Sequence, residues 1–281
     1  MLKINLISAV FIISIAQLAP ADDETCEMLD RVVVTGASIS SGFGVTTPPV
    51  KSDLGAYTIN MKHVFEGIIT SEHQEVKFFG DLLFFRKSRA NAQKFIEIIK
   101  EYEPTLVIGL DFLFWFGHGT PPQDISAPVY RMEKLNFALR LLEQIDAPIL
   151  IGNLPDVRVA IGKVLSASQV PTSATLVKLN DRIQTWGDEH ENVTVIDAFT
   201  LGLKLVNDEA ITIRNQSWPA GSQEILLQDD MLHTTLEGTV AASLLVVESI
   251  NADCLETNSK IIMKKAAANA RLSATKKPES Q

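Results

Sequence analysis

The chain alternates between short apolar runs and longer stretches in which apolar residues recur at helical spacing. Five runs rich in β-branched and aromatic residues are predicted to be buried strands. These runs are Arg31–Thr35, Val76–Phe79, Thr105–Leu110, Pro148–Gly152 and Val193–Asp197. Helices are predicted at Tyr57–Ile69, Ala90–Tyr102, Val129–Ile145, Ala174–Trp186 and Leu236–Ile250.

This order of elements predicts an α/β fold. Strands that alternate with helices form a parallel sheet covered on both faces. In such sheets ligands bind beyond the carboxyl ends of the strands, where the connecting loops converge. Residues of a functional site are therefore expected directly after strands or in loops that reach the same edge.

The two ends of the chain differ from its middle. Residues 1–21 contain Lys3, an apolar run from Ile4 to Ala16, and Ala19-Pro20-Ala21, a pattern that predicts a cleaved export signal. The run is too short for a comfortable membrane span, although an uncleaved anchor is the alternative. We therefore expect a secreted or periplasmic protein whose folded domain covers residues 22–254.

Cysteine content and charge add two expectations. Cys26 and Cys254 are the only cysteines, and after export we expect a disulfide between them rather than two free thiols. The net charge of −9 argues against a nucleic-acid partner, since phosphate binding needs a basic surface. The basic residues of segment 255–281 predict a solvated tail, with contact to an anionic surface as the alternative.

Two short segments carry candidate chemistry. Ser38 lies between Gly36 and Gly42, after the first strand, where a tight turn can present both its hydroxyl and its N–H group to a substrate. Asp230 and His233 precede the last predicted helix, and their spacing allows the carboxylate to orient the imidazole as a base for a serine. Neither segment is specific alone, and no group of residues has metal-ligand spacing.

Together these segments resemble the conserved blocks of SGNH (GDSL-like) hydrolases. Gly36–Gly42 is similar to the first block, G-D-S-x-x-x-G, and Asp230–His233 is similar to the last, D-x-x-H. Gly80 and Gly109-Leu110-Asp111 stand where that family keeps its oxyanion glycine and its G-x-N-D block. The resemblance extends from Arg31 to Ile250.

The resemblance implies a flavodoxin-like three-layer α/β/α sandwich with a five-stranded parallel sheet. It also implies cofactor-free hydrolysis of a small-molecule, glycan or lipid ester. In that reaction Ser38 attacks, His233 carries the proton, Asp230 orients His233, and Ser38, Gly80 and Asp111 stabilise the oxyanion.

The sequence departs from the family pattern at three positions. Ala37 replaces an aspartate that holds the family's turn, Asp111 replaces the oxyanion asparagine, and Phe112 replaces the aspartate after it. An ionised Asp111 would repel an oxyanion, so it is expected either to stay protonated and donate, or to point elsewhere. The alternative function is a catalytically weakened protein of the same fold that binds a glycan or lipid.

Aromatic residues near the third strand suggest a substrate pocket. Phe112 and Trp115 follow that strand directly and are expected to line the pocket, with core packing as the alternative. His118 is expected to be a loop histidine rather than a second base. The segment Ile213–Gln228, with Trp218, is predicted to be either a lid or an ordinary surface loop.

Overall fold

The fold is a three-layer α/β/α sandwich built on one parallel sheet, as the sequence predicts. A computed structural model describes residues 23–49 and 55–276; the predicted export signal lies outside these residues. The sheet strands are β1 (Val32–Gly36), β2 (Lys77–Gly80), β3 (Leu106–Gly109), β4 (Ile149–Gly152) and β5 (Val193–Ile196). Their order across the sheet is β2-β1-β3-β4-β5, the arrangement of flavodoxin-like doubly wound sheets.

Helices connect the strands and cover both faces of the sheet. In the described part of the chain they are α1 (Asp23–Glu27), α2 (Met61–Ile68), α3 (Ser88–Tyr102), α4 (Phe114–Gly117), α5 (Ala127–Leu142), α6 (Ser173–Asp188), α7 (Ala198–Val206), α8 (Gln223–Leu226), α9 (Leu236–Glu248) and α10 (Ser259–Thr275). Single turns of 3₁₀ helix occur at Phe84–Lys87, Arg158–Ala160 and Ala167–Gln169. A separate antiparallel hairpin consists of β6 (Ile211–Ile213) and β7 (Gln216–Trp218).

The period-two alternation of the strands divides the core into two clusters. Val32 and Val34 of β1 face one cluster, with α2, α9 and α10, whereas Val33 faces the other, with α3, α5 and α6. All five residues of β1 are buried, as expected for a central parallel strand covered on both sides. The sheet is therefore rigid at the point where β1 ends and the candidate nucleophile begins.

The predicted strands agree with the observed strands to within one residue at each end, but one helix starts later than predicted. The predicted helix at Tyr57–Ile69 begins only at Met61. Asn60 caps it, because its side chain accepts from the His63 N–H while the His63 ring accepts from the Asn60 N–H. This reciprocal cap ends the extended segment that precedes the helix.

The prediction of a solvated tail after residue 254 is wrong for most of that segment. Ser259–Thr275 forms α10, which packs against α2. Ile262, Ala266 and Ala270 are buried at this contact. The face consists largely of alanine, so its hydrophobicity is low although its helical spacing is regular.

The predicted disulfide is present. Cys26 and Cys254 are bonded, with their Cα atoms 6.1 Å apart. The bridge joins α1 to the segment after α9, and the Thr70 N–H donates to the Cys254 carbonyl beside it. Within the described ranges, no helix has the length and apolar character needed to cross a bilayer.

The segment Ile213–Gln228 is packed on the domain and does not form a lid over the cleft. Trp218 is 5% exposed, belongs to the core cluster around α9, and donates from Nε1 to Glu237 at 2.9 Å. The hairpin β6–β7 therefore extends the outer layer. Of the two alternatives that the sequence leaves open, the structure favours a surface loop.

Candidate active site

Ser38 lies in a tight turn at the carboxyl end of β1. The turn is closed by the Ser41 N–H donating to the Ala37 carbonyl at 2.9 Å and by the Phe43 N–H donating to the Ser38 carbonyl at 3.0 Å. Gly42 has φ +73°, and a Cβ atom there would stand 2.0 Å from the Ile59 carbonyl oxygen. Only glycine fits this position, so the turn holds Ser38 at the edge of the sheet.

Asp230 and His233 occupy the loop that enters α9. One carboxylate oxygen of Asp230 accepts from the N–H groups of Leu232 (3.0 Å) and His233 (2.9 Å), and the other lies 2.6 Å from His233 Nδ1. Met231 between them adopts φ +59°, a left-handed conformation that is costly for a residue with a side chain. The short loop thus bends until the carboxylate reaches its own imidazole.

The electrostatics of Asp230 suit the role of an orienting anion. Burial works to raise the pKa of this carboxyl, but hydrogen bonds from the His233 ring and from the N–H groups of His233 and Leu232 outweigh it. The pKa therefore lies below its usual value, and Asp230 is ionised at neutral pH. A carboxylate on Nδ1 fixes the tautomer in which Nε2 accepts a proton.

The structure brings these two distant segments together. His233 Nε2 lies 3.0 Å from Ser38 Oγ, although 195 positions separate the residues along the chain. Ser38, His233 and Asp230 form a continuous chain of hydrogen bonds at one edge of the sheet. This is the spatial convergence that the sequence predicts.

Two further contacts hold the imidazole in place. Phe43 stacks on His233 with ring centroids 4.1 Å apart, and Phe43 remains 40% exposed. Gln228 donates from its side chain to the carbonyls of Phe43 and Thr234, joining the serine turn to the histidine loop. These contacts fix the ring plane of His233 relative to Ser38.

Gly80 ends β2 directly beside the end of β1. It pairs with Gly36 in the parallel register, and a Cβ atom at Gly80 would stand 2.7 Å from the Gly36 carbonyl oxygen. With Ser41, Gly42 and Phe43 it lines a shallow groove next to the serine turn. Within residues 23–49 and 55–276, the Ser38 N–H donates to no protein acceptor, so it is available to an incoming group.

Asp111 does not serve as an oxyanion donor, so the prediction that places it in the oxyanion hole is wrong. Its carboxylate lies beneath the serine turn, where Oδ1 accepts from the Ala37 N–H (3.0 Å) and the Ser40 hydroxyl (2.5 Å). Oδ2 accepts from the N–H groups of Ile39 (2.9 Å) and Ser40 (3.2 Å). Burial raises the pKa of Asp111, and these four hydrogen bonds oppose that rise.

The predicted pocket residues Phe112 and Trp115 lie in the core instead. Phe112 is completely buried and packs against Phe84 and Phe116, while Trp115 packs against Phe85 and Phe114. Both belong to the core cluster on the α3–α5 face of the sheet. The apolar run after β3 is helical, so only some of its side chains can face the site edge.

An apolar cavity of about 100 Å³ lies next to the residues that flank Ser38 and His233. Its walls include Ile39 from the serine turn, Leu232 from the histidine loop, and Phe114 after β3. Leu201 and Leu205 of α7 also line it. The sequence pattern does not reveal this cavity, because α7 is not among the predicted helices.

His118 is buried rather than in a mobile loop. Its ring stacks on Phe114 at 4.1 Å, and Nδ1 lies 3.1 Å from the Phe114 carbonyl. Burial is the main reason that the pKa of His118 falls to about 3, and the charges of Arg131 and Lys134 act in the same direction. The ring is therefore neutral in the folded protein.

This neutral histidine predicts a loss of stability in mild acid. In the unfolded chain His118 takes up a proton near the ordinary histidine pKa of 6.5, whereas the folded ring stays neutral down to about 3. Stability due to this group is thus fully present above pH 6.5 and is lost as pH falls, by about 2 kcal/mol between pH 8 and pH 5. In denaturant titrations, the free energy of unfolding of His118→Phe is expected to fall by about 2 kcal/mol less than that of wild type between pH 8 and pH 5. Equal losses in both proteins would contradict the prediction.

The position of Phe43 and the acceptor role of Asp111 are likewise not predicted from the sequence. Phe43 follows Gly42 in a loop whose path no periodic pattern reveals. Two features of the sequence together are consistent with the acceptor role of Asp111. Ala37 stands where a carboxylate would hold the turn, and an unexpected carboxylate follows β3. In the part of the chain that the structure describes, no three His, Cys, Asp or Glu residues form a group that could hold a metal ion.

Comparisons with known proteins add little to this geometry. No family model and no curated protein matches the chain. Among solved structures, it is similar to the salicylyl-acyltransferase SsfX3 from a tetracycline biosynthetic pathway, with 14% identity and a TM-score of 0.39. The similarity covers 78% of this chain and 52% of that protein, so the chain spans about half of its length.

Proposed function

We propose that the chain is a serine hydrolase of the SGNH type that cleaves carboxylic esters. The observation that carries the proposal is the hydrogen-bonded series from Ser38 Oγ to His233 (3.0 Å) and from His233 to Asp230 (2.6 Å). A serine hydroxyl needs a base within such reach to become a nucleophile. Its location at the carboxyl edge of the sheet, where ligands of this architecture bind, supports the same conclusion.

The proposed reaction proceeds in two steps. His233 Nε2 takes the Ser38 proton as Oγ attacks the ester carbonyl carbon, and Asp230 stabilises the imidazolium that forms. The tetrahedral oxyanion accepts hydrogen bonds from the N–H groups of Ser38 and Gly80. His233 then protonates the leaving alcohol, and water releases the acid from Ser38 by the same proton transfers in reverse.

The hydrogen bonds of Asp111 favour an active enzyme over a weakened binding protein. The family's turn-holding aspartate is missing at Ala37, yet a carboxylate still receives the N–H groups of this turn, because Asp111 supplies it from the neighbouring strand end. The carboxylate that is missing at Ala37 is therefore replaced in the turn by the carboxylate of Asp111. The oxyanion hole then consists of two backbone donors, without a side-chain donor at position 111.

Export belongs to the same proposal. The Cys26–Cys254 disulfide is the kind of bond that persists in oxidising compartments. Together with the signal-like pattern of residues 1–21, it supports a secreted or periplasmic enzyme. No cofactor takes part in the proposed reaction.

The proposal is tested by ester turnover. We expect the purified chain to hydrolyse p-nitrophenyl acetate and butyrate with saturation kinetics, above the rate in buffer. A folded protein that hydrolyses neither these nor acetylated sugars or alkyl esters would exclude the hydrolase and leave the binding protein as the account of this fold.

A further inference from the structure

We propose that the apolar cavity beside the triad binds an unbranched aliphatic chain of the ester substrate. This inference rests on the proposed function, since it names the substrate class of the same site. The cavity wall includes residues next to the reacting groups on both the serine turn and the histidine loop. Ile39 and Asp111 hold the serine turn, Leu232 and Thr234 flank His233, and all four belong to the cavity wall.

The wall is apolar because each of its polar side chains is already engaged within the protein. The Asp111 carboxylate accepts from the serine turn, and Asp156 is paired with Arg158. Asn153 donates to Asp197.

The other polar contacts follow the same pattern. Asn153 Oδ1 also accepts from the Phe199 N–H at 2.6 Å, and Thr234 Oγ1 lies 2.8 Å from Thr239 Oγ1. A sugar in this cavity would bury its hydroxyl groups without partners, at a large cost for each one. The remaining surface is mostly aliphatic and aromatic carbon, which suits a hydrocarbon chain.

Aliphatic side chains enclose the cavity from several elements. Leu201 and Leu205 come from α7, Val157 follows β4, and Ala242 and Leu245 come from α9. A volume of about 100 Å³ is several times the 10–15 Å³ that one water molecule needs. The cavity therefore accepts several methylene groups.

The rim of the site has the same character. Phe43 and Leu82 line the shallow groove on the Gly80 side, and both are exposed to solvent. An ester positioned on Ser38 would thus meet apolar surface on both sides of the serine turn. The chain in the cavity belongs either to the acid or to the alcohol of the ester. The two series of esters in the kinetic test distinguish these possibilities.

The kinetic test compares two series of esters. One series varies the acid in p-nitrophenyl acetate, butyrate and hexanoate, and the other varies the alcohol in ethyl, butyl and hexyl acetate. In one of them kcat/KM is expected to rise about fourfold for each methylene group until the cavity is full. The series that rises identifies which part of the ester the cavity binds.

Two variants and one control test whether the rise of kcat/KM with chain length depends on the cavity. Ala198→Phe fills the space from the start of α7 and is expected to abolish the rise, whereas Leu245→Ala enlarges it and should move the optimum to a longer chain. Ala90→Phe makes the same exchange at a position on α3 outside the cavity wall and should leave the rise unchanged. Flat series in a wild type that hydrolyses these esters, or an undiminished rise in folded Ala198→Phe together with an unshifted optimum in Leu245→Ala, would overturn the inference.

A binding measurement separates this inference from the proposed function. Calorimetric titration of wild type with 1-propanol and 1-hexanol requires no catalysis. The affinity for 1-hexanol should be about 60-fold higher, given three additional methylene groups, and the difference should disappear in Ala198→Phe. Equal affinities for the two alcohols would refute the cavity assignment even if the protein hydrolyses esters. Conversely, chain-length-dependent binding without any turnover would refute only the hydrolase.

Discussion

Replacing Ser38 by alanine is expected to lower kcat for ester hydrolysis by about 10⁴–10⁶-fold. Alanine removes the atom that forms the covalent bond. In the part of the chain that the structure describes, Ser38 Oγ, at 3.0 Å, supplies the hydroxyl that hydrogen-bonds to His233 Nε2. The stability of the fold should change little, because Ser38 is only half-buried in a turn closed by main-chain hydrogen bonds. The measurement is the initial rate with p-nitrophenyl butyrate, corrected for the buffer rate.

Ser249→Ala is the matched control for this substitution. Ser249 follows α9, and its hydroxyl donates to the Val246 carbonyl, outside the site. Its rate should stay within about twofold of wild type, as is usual for surface changes. A Ser38→Ala protein that retains more than about a tenth of the wild-type rate would show that another group carries the reaction.

Asp111→Asn is expected to reduce both stability and activity, although the SGNH hydrolases that the sequence resembles carry asparagine at this position. The carboxylate accepts from three N–H groups and one hydroxyl, whereas an amide offers one acceptor oxygen and turns an NH₂ group toward the remaining donors. Each buried donor left without an acceptor costs about 1–3 kcal/mol, so we expect a loss of about 2–5 kcal/mol in the free energy of unfolding. A displaced serine turn should lower kcat/KM by about 10²-fold or more.

Two variants separate the effect of the carboxylate from a loss of charge in general. Asp146→Asn, at an exposed position before β4, should have little effect on either quantity. Ser40→Ala removes only the hydroxyl donor and should cost about 1 kcal/mol. If Asp111→Asn raised kcat/KM instead, position 111 would be an oxyanion donor, contrary to the observed hydrogen bonds.

The sequence predicts the sheet well because its strands carry a local signal. Buried central strands are continuous apolar runs, so Val32–Gly36 and Leu106–Gly109 stand out without any tertiary information. The C-terminal helix α10 does not stand out, because its buried face is made of alanines that only contact with α2 explains. Hydrophobicity alone cannot separate such a face from a polar tail.

The convergence of Ser38, Asp230 and His233 was predictable for a different reason. Ser38, Asp230 and His233 lie next to ends of regular elements, and the topology of a parallel sheet brings such ends to one edge. The role of Asp111 was not predictable, because it depends on whether the carboxylate points toward the turn or toward the substrate. Phe112 and Trp115 were wrongly assigned to a pocket for the same reason, since position after a strand does not fix the direction of a side chain.

Covalent labelling of Ser38 with a fluorophosphonate, mapped by peptide mass spectrometry, tests the central claim most directly. The probe reacts with a serine only when a base has activated it, and it needs no knowledge of the natural substrate. We predict one adduct, on the peptide that contains Ser38, with a labelling rate about 10²–10⁴-fold lower in His233→Ala. A folded wild-type protein that stays unlabelled, or that is labelled at Ser38 equally fast without His233, would contradict the account.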